Sequence, residues 1–144
     1  MLINILNKLF EYSGKYIEVK YDFNLPIPAY SFVDLDINDR LVPTISLNPN
    51  LYPKDNNVIA HILSHEWGHH TLNHIKAPTD PSFDIKKIQD KNDRQLKEDE
   101  ADSYASNFIK EFFYDKEPII DFIRKSSPND FNHRINILFT PLKI

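Results

Sequence analysis

The sequence predicts an α+β fold in which a small antiparallel three-stranded sheet packs on two long helices, with further helices at the C-terminal end. Segments in which apolar and polar residues alternate, the pattern of half-buried strands, are confined to the first third of the chain. Segments with apolar residues every three or four positions, the pattern of helices, make up most of the rest. The chain has 144 residues, of which 41% are hydrophobic, so we expect a single domain spanning residues 1–144.

The N-terminal segment MLINILNKLFEYSG predicts an amphipathic helix, because its polar residues recur at helical spacing. It lacks the basic start and the small-residue cleavage site of a signal sequence. Gly14, one of only two glycines, stands where it would end the helix. The buried face is expected to consist of Leu2, Ile5, Leu6, Leu9 and Phe10.

Three strands are predicted next, separated by residues that break the alternation. In the first strand, Ile17, Val19, Tyr21 and Phe23 alternate with charged residues. Pro43 lies inside the third strand, which predicts either an edge position or a stretch that lacks a neighbour on one side. The strands are expected within residues 15–23, 29–37 and 41–48.

Helices make up the remainder of the predicted fold. Asp55, Asn56 and Asn57 are all plausible N-caps for the first of them. The second long helix carries an apolar stripe at helical spacing, formed by Ala101, Tyr104, Ala105, Phe108, Ile109 and Phe112. The helices are expected at about residues 57–74, 92–113, 117–125 and 128–138, with a proline-containing loop at 75–90.

Composition excludes several classes of function. The net charge is −4 and no basic run is longer than a pair, so direct binding of nucleic acid is not expected. The apolar stretches are only a few residues long, so no membrane span is expected. The chain has no cysteine. This fits a cytoplasmic location and leaves histidines and carboxylates as the side chains for a metal site.

Five of the six histidines lie within fourteen positions, from His61 to His74, and the segment HEWGHH among them has the HExxH pattern. On a helix, His65 and His69 project from the same face one turn apart, so both imidazoles can reach one divalent ion. Glu66 lies beside the first histidine, where its carboxylate can reach a water on the ion and act as a general base. The sequence therefore predicts a metal site on this helix.

A catalytic zinc takes three protein ligands, so we expect the third ligand from the second long helix. The segment KEDEAD offers Glu98 and Asp102, which are four residues apart and share one helical face. Glu98 can bind the metal, and Asp102 can accept a hydrogen bond from a ligand histidine and so fix its tautomer. Glu100 is the rival ligand, although it lacks the four-residue spacing to Asp102. The expected cofactor is one Zn²⁺ ion or another divalent metal.

HEWGHH followed by ExEADxYA resembles the ImmA/IrrE-type metallopeptidases, a gluzincin-like zinc peptidase family. The likeness covers about residues 40–110 and includes the lead-in TISLNPNLYPKDNNVIAHIL. The chain differs where family members often have Leu-Leu-Met-Pro, because residues 108–111 are FIKE. The resemblance implies, position by position, that the zinc ligands are His65, His69 and Glu98, the base is Glu66 and the residue supporting a ligand is Asp102.

The resemblance further implies a zinc-dependent endopeptidase whose substrate and partner is a protein. This protein would be a helix-turn-helix transcriptional repressor of a phage or mobile element, cleaved at a specific site. An alternative is a regulatory protein, an antirepressor that binds its partner without cleaving it. A third possibility is a peptidase of broad specificity. Glu66 favours an enzyme, because a pure binder has no need of a general base.

A peptidase also benefits from a donor that stabilises the oxyanion formed during hydrolysis. Each candidate for this role or for substrate contact is equally consistent with a core or solvent-exposed position; they are His61, Tyr104, Tyr114, His133 and Arg134. His70 points away from His69 on the helix, and we expect no second metal at His70 and His74.

Overall fold

The computed structural model describes residues 2–75 and 90–139. The described chain is α+β, as predicted, and within these ranges no helix is both long and apolar enough to cross a membrane. The loop predicted at residues 75–90 lies almost wholly outside the described residues. The elements are α1 (Leu2–Ser13), β1 (Glu18–Tyr21), β2 (Ala29–Leu35), β3 (Leu41–Leu47), a 3-10 turn (Pro49–Leu51), α2 (Asn56–Thr71), α3 (Lys91–Glu111), α4 (Lys116–Ser126) and α5 (Phe131–Phe139).

The sheet is mixed, so the prediction of an antiparallel sheet was wrong. Its strand order is β1-β3-β2, with β1 parallel and β2 antiparallel to the central β3. Asn48, which follows β3, contacts the connection between β1 and β2. Its side-chain amide donates to the carbonyls of Phe23 and Leu25, and its N–H donates to the carbonyl of Pro28. These bonds hold the β1–β2 connection at the end of β3, and β3 lies between the two strands.

Pro43 lies in the central strand, so the predicted edge position was wrong. The second alternative, a stretch of strand that lacks a neighbour on one side, is what the structure has. β1 pairs only with residues 44–47 of β3, whereas Pro43 faces Val33 of β2. The missing N–H of the proline therefore removes no hydrogen bond to β1.

Two helix-boundary signals of the sequence, Gly14 after α1 and Asp55 before α2, correspond to structural features. Gly14 has a φ of 67° and its N–H donates to the carbonyl of Phe10, which ends α1 as predicted. Of the three plausible N-caps for α2, Asp55 fills the position. Its carboxylate accepts hydrogen bonds from the N–H groups of Asn57 and Val58, so two donors at the start of the helix are satisfied.

The helix α2 is buried along most of its length. Trp67 is fully buried, and its indole N–H donates to the hydroxyl of Ser13 in α1. Its ring lies 5.4 Å from that of Phe10, also in α1. Trp67 thus packs against the N-terminal helix.

Small residues let α3 lie close to α2. Ala101 and Ala105 of α3 are completely buried, and Gly68 of α2 lies directly beneath Tyr104. A Cβ atom added at Gly68 would lie 2.9 Å from the Cβ of Tyr104, a separation that real Cβ atoms do not reach. This close approach brings the polar faces of α2 and α3 together.

Candidate metal centre

Three side chains from two helices converge at one point. His65 and His69 lie one turn apart on α2, and Glu98 reaches them from α3. The Nε2 atom of His65 lies 3.0 Å from Oε2 of Glu98, and that of His69 lies 3.1 Å from Oε1. The two Nε2 atoms are 3.2 Å apart. The potential donor atoms therefore surround a small common space.

The residues in this space could hold a metal ion. Donor atoms of His65, Glu66 and His69 lie within 4.8 Å of one another. Glu98 is closer to the histidines than Glu66 is, because Oε2 of Glu66 is 3.9 Å from His65 Nε2. Ligands of a tetrahedral zinc at 2.0–2.1 Å lie about 3.3 Å from one another, close to the separations of His65, His69 and Glu98.

Asp102 fixes the orientation of His65. Its Oδ1 atom lies 2.7 Å from Nδ1 of His65, so the Nδ1–H donates to Asp102 and Nε2 faces the common space. Burial lowers the pKa of His65, but hydrogen bonds to Asp102 and Glu98 and the charges of Asp102 and Glu66 outweigh burial and raise the pKa to about 10. Conversely, burial raises the pKa of Asp102, but contacts with His65 and Arg134 hold it well below its usual range.

Arg134 of α5 also contacts the carboxylate of Asp102. Its Nε and one terminal nitrogen each donate to a carboxylate oxygen of Asp102 at 3.0 Å. Its other terminal nitrogen donates to the hydroxyl of Ser127 at 3.1 Å. Arg134 was predicted as a possible oxyanion or substrate contact. In the structure its guanidinium instead joins the last helix to Asp102.

His69 has a different partner, His74, whose role the sequence reasoning missed. The two Nδ1 atoms lie 3.0 Å apart, and Nε2 of His74 lies 3.4 Å from a carboxylate oxygen of Glu100. Asn73, with a φ of 59°, turns the chain back so that the N–H of His74 donates to the carbonyl of His69. An Asn placed just after a helix is a signal for this turn, but the helix was expected to continue to residue 74.

Glu66 is held by a residue of the sheet that the sequence reasoning also missed. The hydroxyl of Ser31 in β2 donates to Oε1 of Glu66 at 2.8 Å. Oε2 of Glu66 is the oxygen nearer to His65. Ser31 is buried, whereas its neighbours Tyr30 and Phe32 are exposed and half-buried. The signal in the sequence was a small polar residue at a position of the strand that faces inward.

A cleft of about 920 Å³ opens over these residues. One wall is formed by residues 29–33 of the edge strand β2, and the other by the N-terminal half of α3. His65, Glu66, His69 and Glu98 lie in its lining. The possible metal donors are therefore accessible from a groove that runs between a strand edge and a helix.

His61 and His70 do not reach this cleft. His61 is buried beside the ring of Phe122. Burial, with smaller contributions from the charges of nearby cations, lowers its pKa to about 3 despite the charge of Asp102. His61 is therefore neutral, and it does not donate a proton to a substrate in the cleft. His70 points to the sheet, where its Nε2–H donates to the carbonyl of Thr44 at 2.9 Å. As expected, it points away from His69.

The three remaining candidates for oxyanion or substrate contact also lie outside the lining formed by described residues. Tyr104 packs edge-on against Tyr12 of α1, with ring centres 5.6 Å apart. His133 is exposed and bonds to Asp99 at 2.7 Å. Tyr114 accepts a hydrogen bond from a lysine of α1. Their positions do not support the contacts suggested for them.

Comparisons of the chain with protein-family models, with curated proteins and with solved structures gave no significant match.

Proposed function

We propose that the protein is a zinc-dependent endopeptidase. The observation that carries this proposal is the placement of the Glu66 carboxylate beside His65, His69 and Glu98 at the floor of an open cleft. Two imidazoles and one carboxylate are a donor set that zinc uses in hydrolytic enzymes, with a fourth position left open. A zinc ion held by these three residues would supply a Lewis acid that polarises the scissile carbonyl and lowers the pKa of a water.

The chain's own residues would divide the remaining work. Glu66 takes a proton from the attacking water and delivers it to the leaving amine. Ser31 fixes one oxygen of Glu66 and leaves the other for this proton transfer. Asp102 and His74 hold the two ligand histidines with their Nε2 atoms turned toward the shared space.

An extended peptide is the substrate that suits the cleft. In the described sheet, β2 is an edge strand, so its outer backbone groups can pair with a peptide laid along the cleft. In this arrangement the sheet lies against α2, and α3 closes the cleft from the other side. From the motif resemblance, we propose that the substrate is a helix-turn-helix repressor of a phage or mobile element in the cytoplasm.

Replacement of Glu66→Gln tests the chemistry. This variant keeps the shape of the side chain but loses the base, so we expect no cleavage and unchanged zinc binding. The purified zinc-loaded protein and the variant are each incubated with the repressor encoded next to the gene, and products are identified by mass spectrometry. Cleavage by the variant at the rate of the unaltered protein would refute the mechanism. Binding of the repressor by both forms without cleavage would establish the antirepressor alternative instead.

A further inference from the structure

The α3 wall of the cleft is positively charged. Lys91, Arg94 and Lys97 line the cleft, and the same wall ends at Glu98. Lys91, Arg94 and Glu98 are three and four residues apart, so they form one stripe along the helix. This wall is therefore locally positive, although the whole chain has a net charge of −4.

The carboxylates in the described lining do not offset this stripe, because both are engaged at the candidate metal site. Glu98 contacts both ligand histidines, and Glu66 accepts a hydrogen bond from the sheet. Lys97 is paired with Asp93 at 2.9 Å. Among the cations of the described lining, Lys91 and Arg94 are exposed and lie where a bound peptide would meet them.

We propose that the cleft selects peptide segments with Asp or Glu at the second and fourth residues from the cleaved bond, recognised by Arg94 and Lys91. Along α3, Arg94 lies about 6 Å and Lys91 about 10 Å from Glu98, since a helix rises about 1.5 Å per residue. An extended peptide advances about 3.3 Å per residue. Successive side chains alternate between two faces, so the second and fourth residues share one face and lie about 7 and 13 Å along the peptide. If the cleaved bond lies at Glu98, as the proposed function requires, these two residues are within reach of the long side chains of Arg94 and Lys91.

The opposite wall sets a second requirement on the substrate. None of its described lining residues is charged, and most of them are apolar or aromatic, among them Ile27, Ala29 and Val33, so it offers no ionic partner to a charge. The acidic side chains must therefore face α3, while apolar side chains of the peptide face β2. The selected segment is acidic on one side and apolar on the other.

Binding to the Glu66→Gln variant tests this selectivity without cleavage. The probes are three fluorescent ten-residue peptides with Ala-Phe at the centre. The second and fourth residues on each side of the central bond are Glu, Gln or Lys, and the remaining positions are Val. We expect the Glu peptide to bind about two- to fivefold more tightly than the Gln peptide for each ion pair formed, and the Lys peptide to bind most weakly. Fluorescence anisotropy measures the three affinities, and raising the salt concentration should reduce the differences.

A charge-reversed variant identifies the residues responsible. Lys91→Glu with Arg94→Glu should invert the order of the three peptides. The matched control is Lys110→Glu with Lys125→Glu, which changes the net charge equally at exposed positions outside the described cleft lining. The control should keep the original order. Equal affinities for the three peptides, no binding of any of them, or the same response in both double variants would overturn the inference.

The selectivity and the proposed chemistry fail in different ways. The unaltered, zinc-loaded protein is incubated with the same peptides and with the repressor. If acidic peptides bind preferentially but nothing is cleaved, the selectivity stands and the endopeptidase proposal fails. If the repressor is cleaved while the peptides bind without charge preference, the proposed function stands and the selectivity is refuted.

Discussion

Each ligand histidine of the candidate metal site is oriented by a different kind of neighbour. An imidazole that offers Nε2 to a metal carries its proton on Nδ1 and needs an acceptor there. Asp102, itself held by Arg134, supplies that acceptor to His65. For His69 the acceptor is the neutral ring of His74, whose far nitrogen faces Glu100. The two candidate ligands therefore depend on residues from α3, from α5 and from the turn after α2.

Removing the acceptor on His74 should weaken metal binding. The substitution His74→Phe keeps a ring of similar size but leaves the Nδ1–H of His69 without its partner. We expect zinc affinity to fall by about tenfold or more, the usual effect of losing such a support, which competition with a chromogenic chelator measures. His133→Phe is the matched control, because His133 pairs with Asp99 away from the donors. Equal affinity in both variants would show that His74 does not support His69.

The sequence could group the possible donors but not all of their supports, for a geometric reason. Spacing along a helix determines which side chains share a face, so HExxH and ExxxD were sufficient to select His65, His69 and Glu98 as candidates. Ser31 and His74 reach the site through strand packing and a turn. Neither contact corresponds to a fixed spacing along the sequence, so spacing alone could not predict it.

At the scale of elements, the site depends on how closely α2 and α3 approach each other. Glu98 reaches the histidines from α3 at 3.0 and 3.1 Å, so a shift of the helix by less than 1 Å would change both separations substantially. Gly68, without a side chain, allows Tyr104 to sit directly on the backbone of α2. Their contact fixes the spacing of the two helices at a point two residues from Asp102 and six residues from Glu98 along α3.

The substitution Gly68→Ala should destabilise the protein although it improves helix propensity. Alanine is about 1 kcal/mol more favourable than glycine within a helix. Its Cβ, however, would lie 2.9 Å from the Cβ and 3.1 Å from the Cγ of Tyr104, and overpacking of this kind costs about 1–3 kcal/mol. We expect a net loss of stability in urea unfolding and weaker zinc binding. Asn107→Ala, at an exposed position of α3, is the control and should be neutral or stabilising. A Gly68→Ala variant more stable than the natural chain would contradict the close packing.

Helices were more predictable than the sheet because their signals are local. The capping carboxylate of Asp55 and the left-handed conformation at Gly14 depend on a few neighbouring residues. Strand order depends on the path of the connections instead. The bonds from Asn48 to the β1–β2 connection span more than twenty residues, and alternation within β1 carries no information on its neighbour. An α+β fold was therefore predictable, whereas a mixed sheet with a central β3 was not.

At the scale of the molecule, the charges around His65 couple the fold to the metal site. Without metal, the raised pKa keeps His65 protonated between Asp102 and Glu98. This protonation stabilises the fold fully below the unfolded pKa of about 6.5, and the contribution is lost as the pH rises through about 10. The lowered pKa values of Asp102 and Glu98 act in the opposite sense. Their contribution is present above about pH 4 and is lost as the pH falls through their folded pKa values.

Zinc should therefore stabilise the protein more at pH 8.5 than at pH 6.5. The ion must replace the proton on Nε2 of His65, and this competition weakens as the proton concentration falls. Because binding to the folded state raises its stability, we expect a larger rise in the melting temperature on zinc addition at the higher pH. NMR of the metal-free protein should also show one imidazole that stays protonated at pH 8.5. His65→Gln should lose both the NMR signal and the zinc effect. A zinc effect that is equal or smaller at pH 8.5, or a deprotonated His65 at that pH, would show that the two carboxylates do not hold this proton.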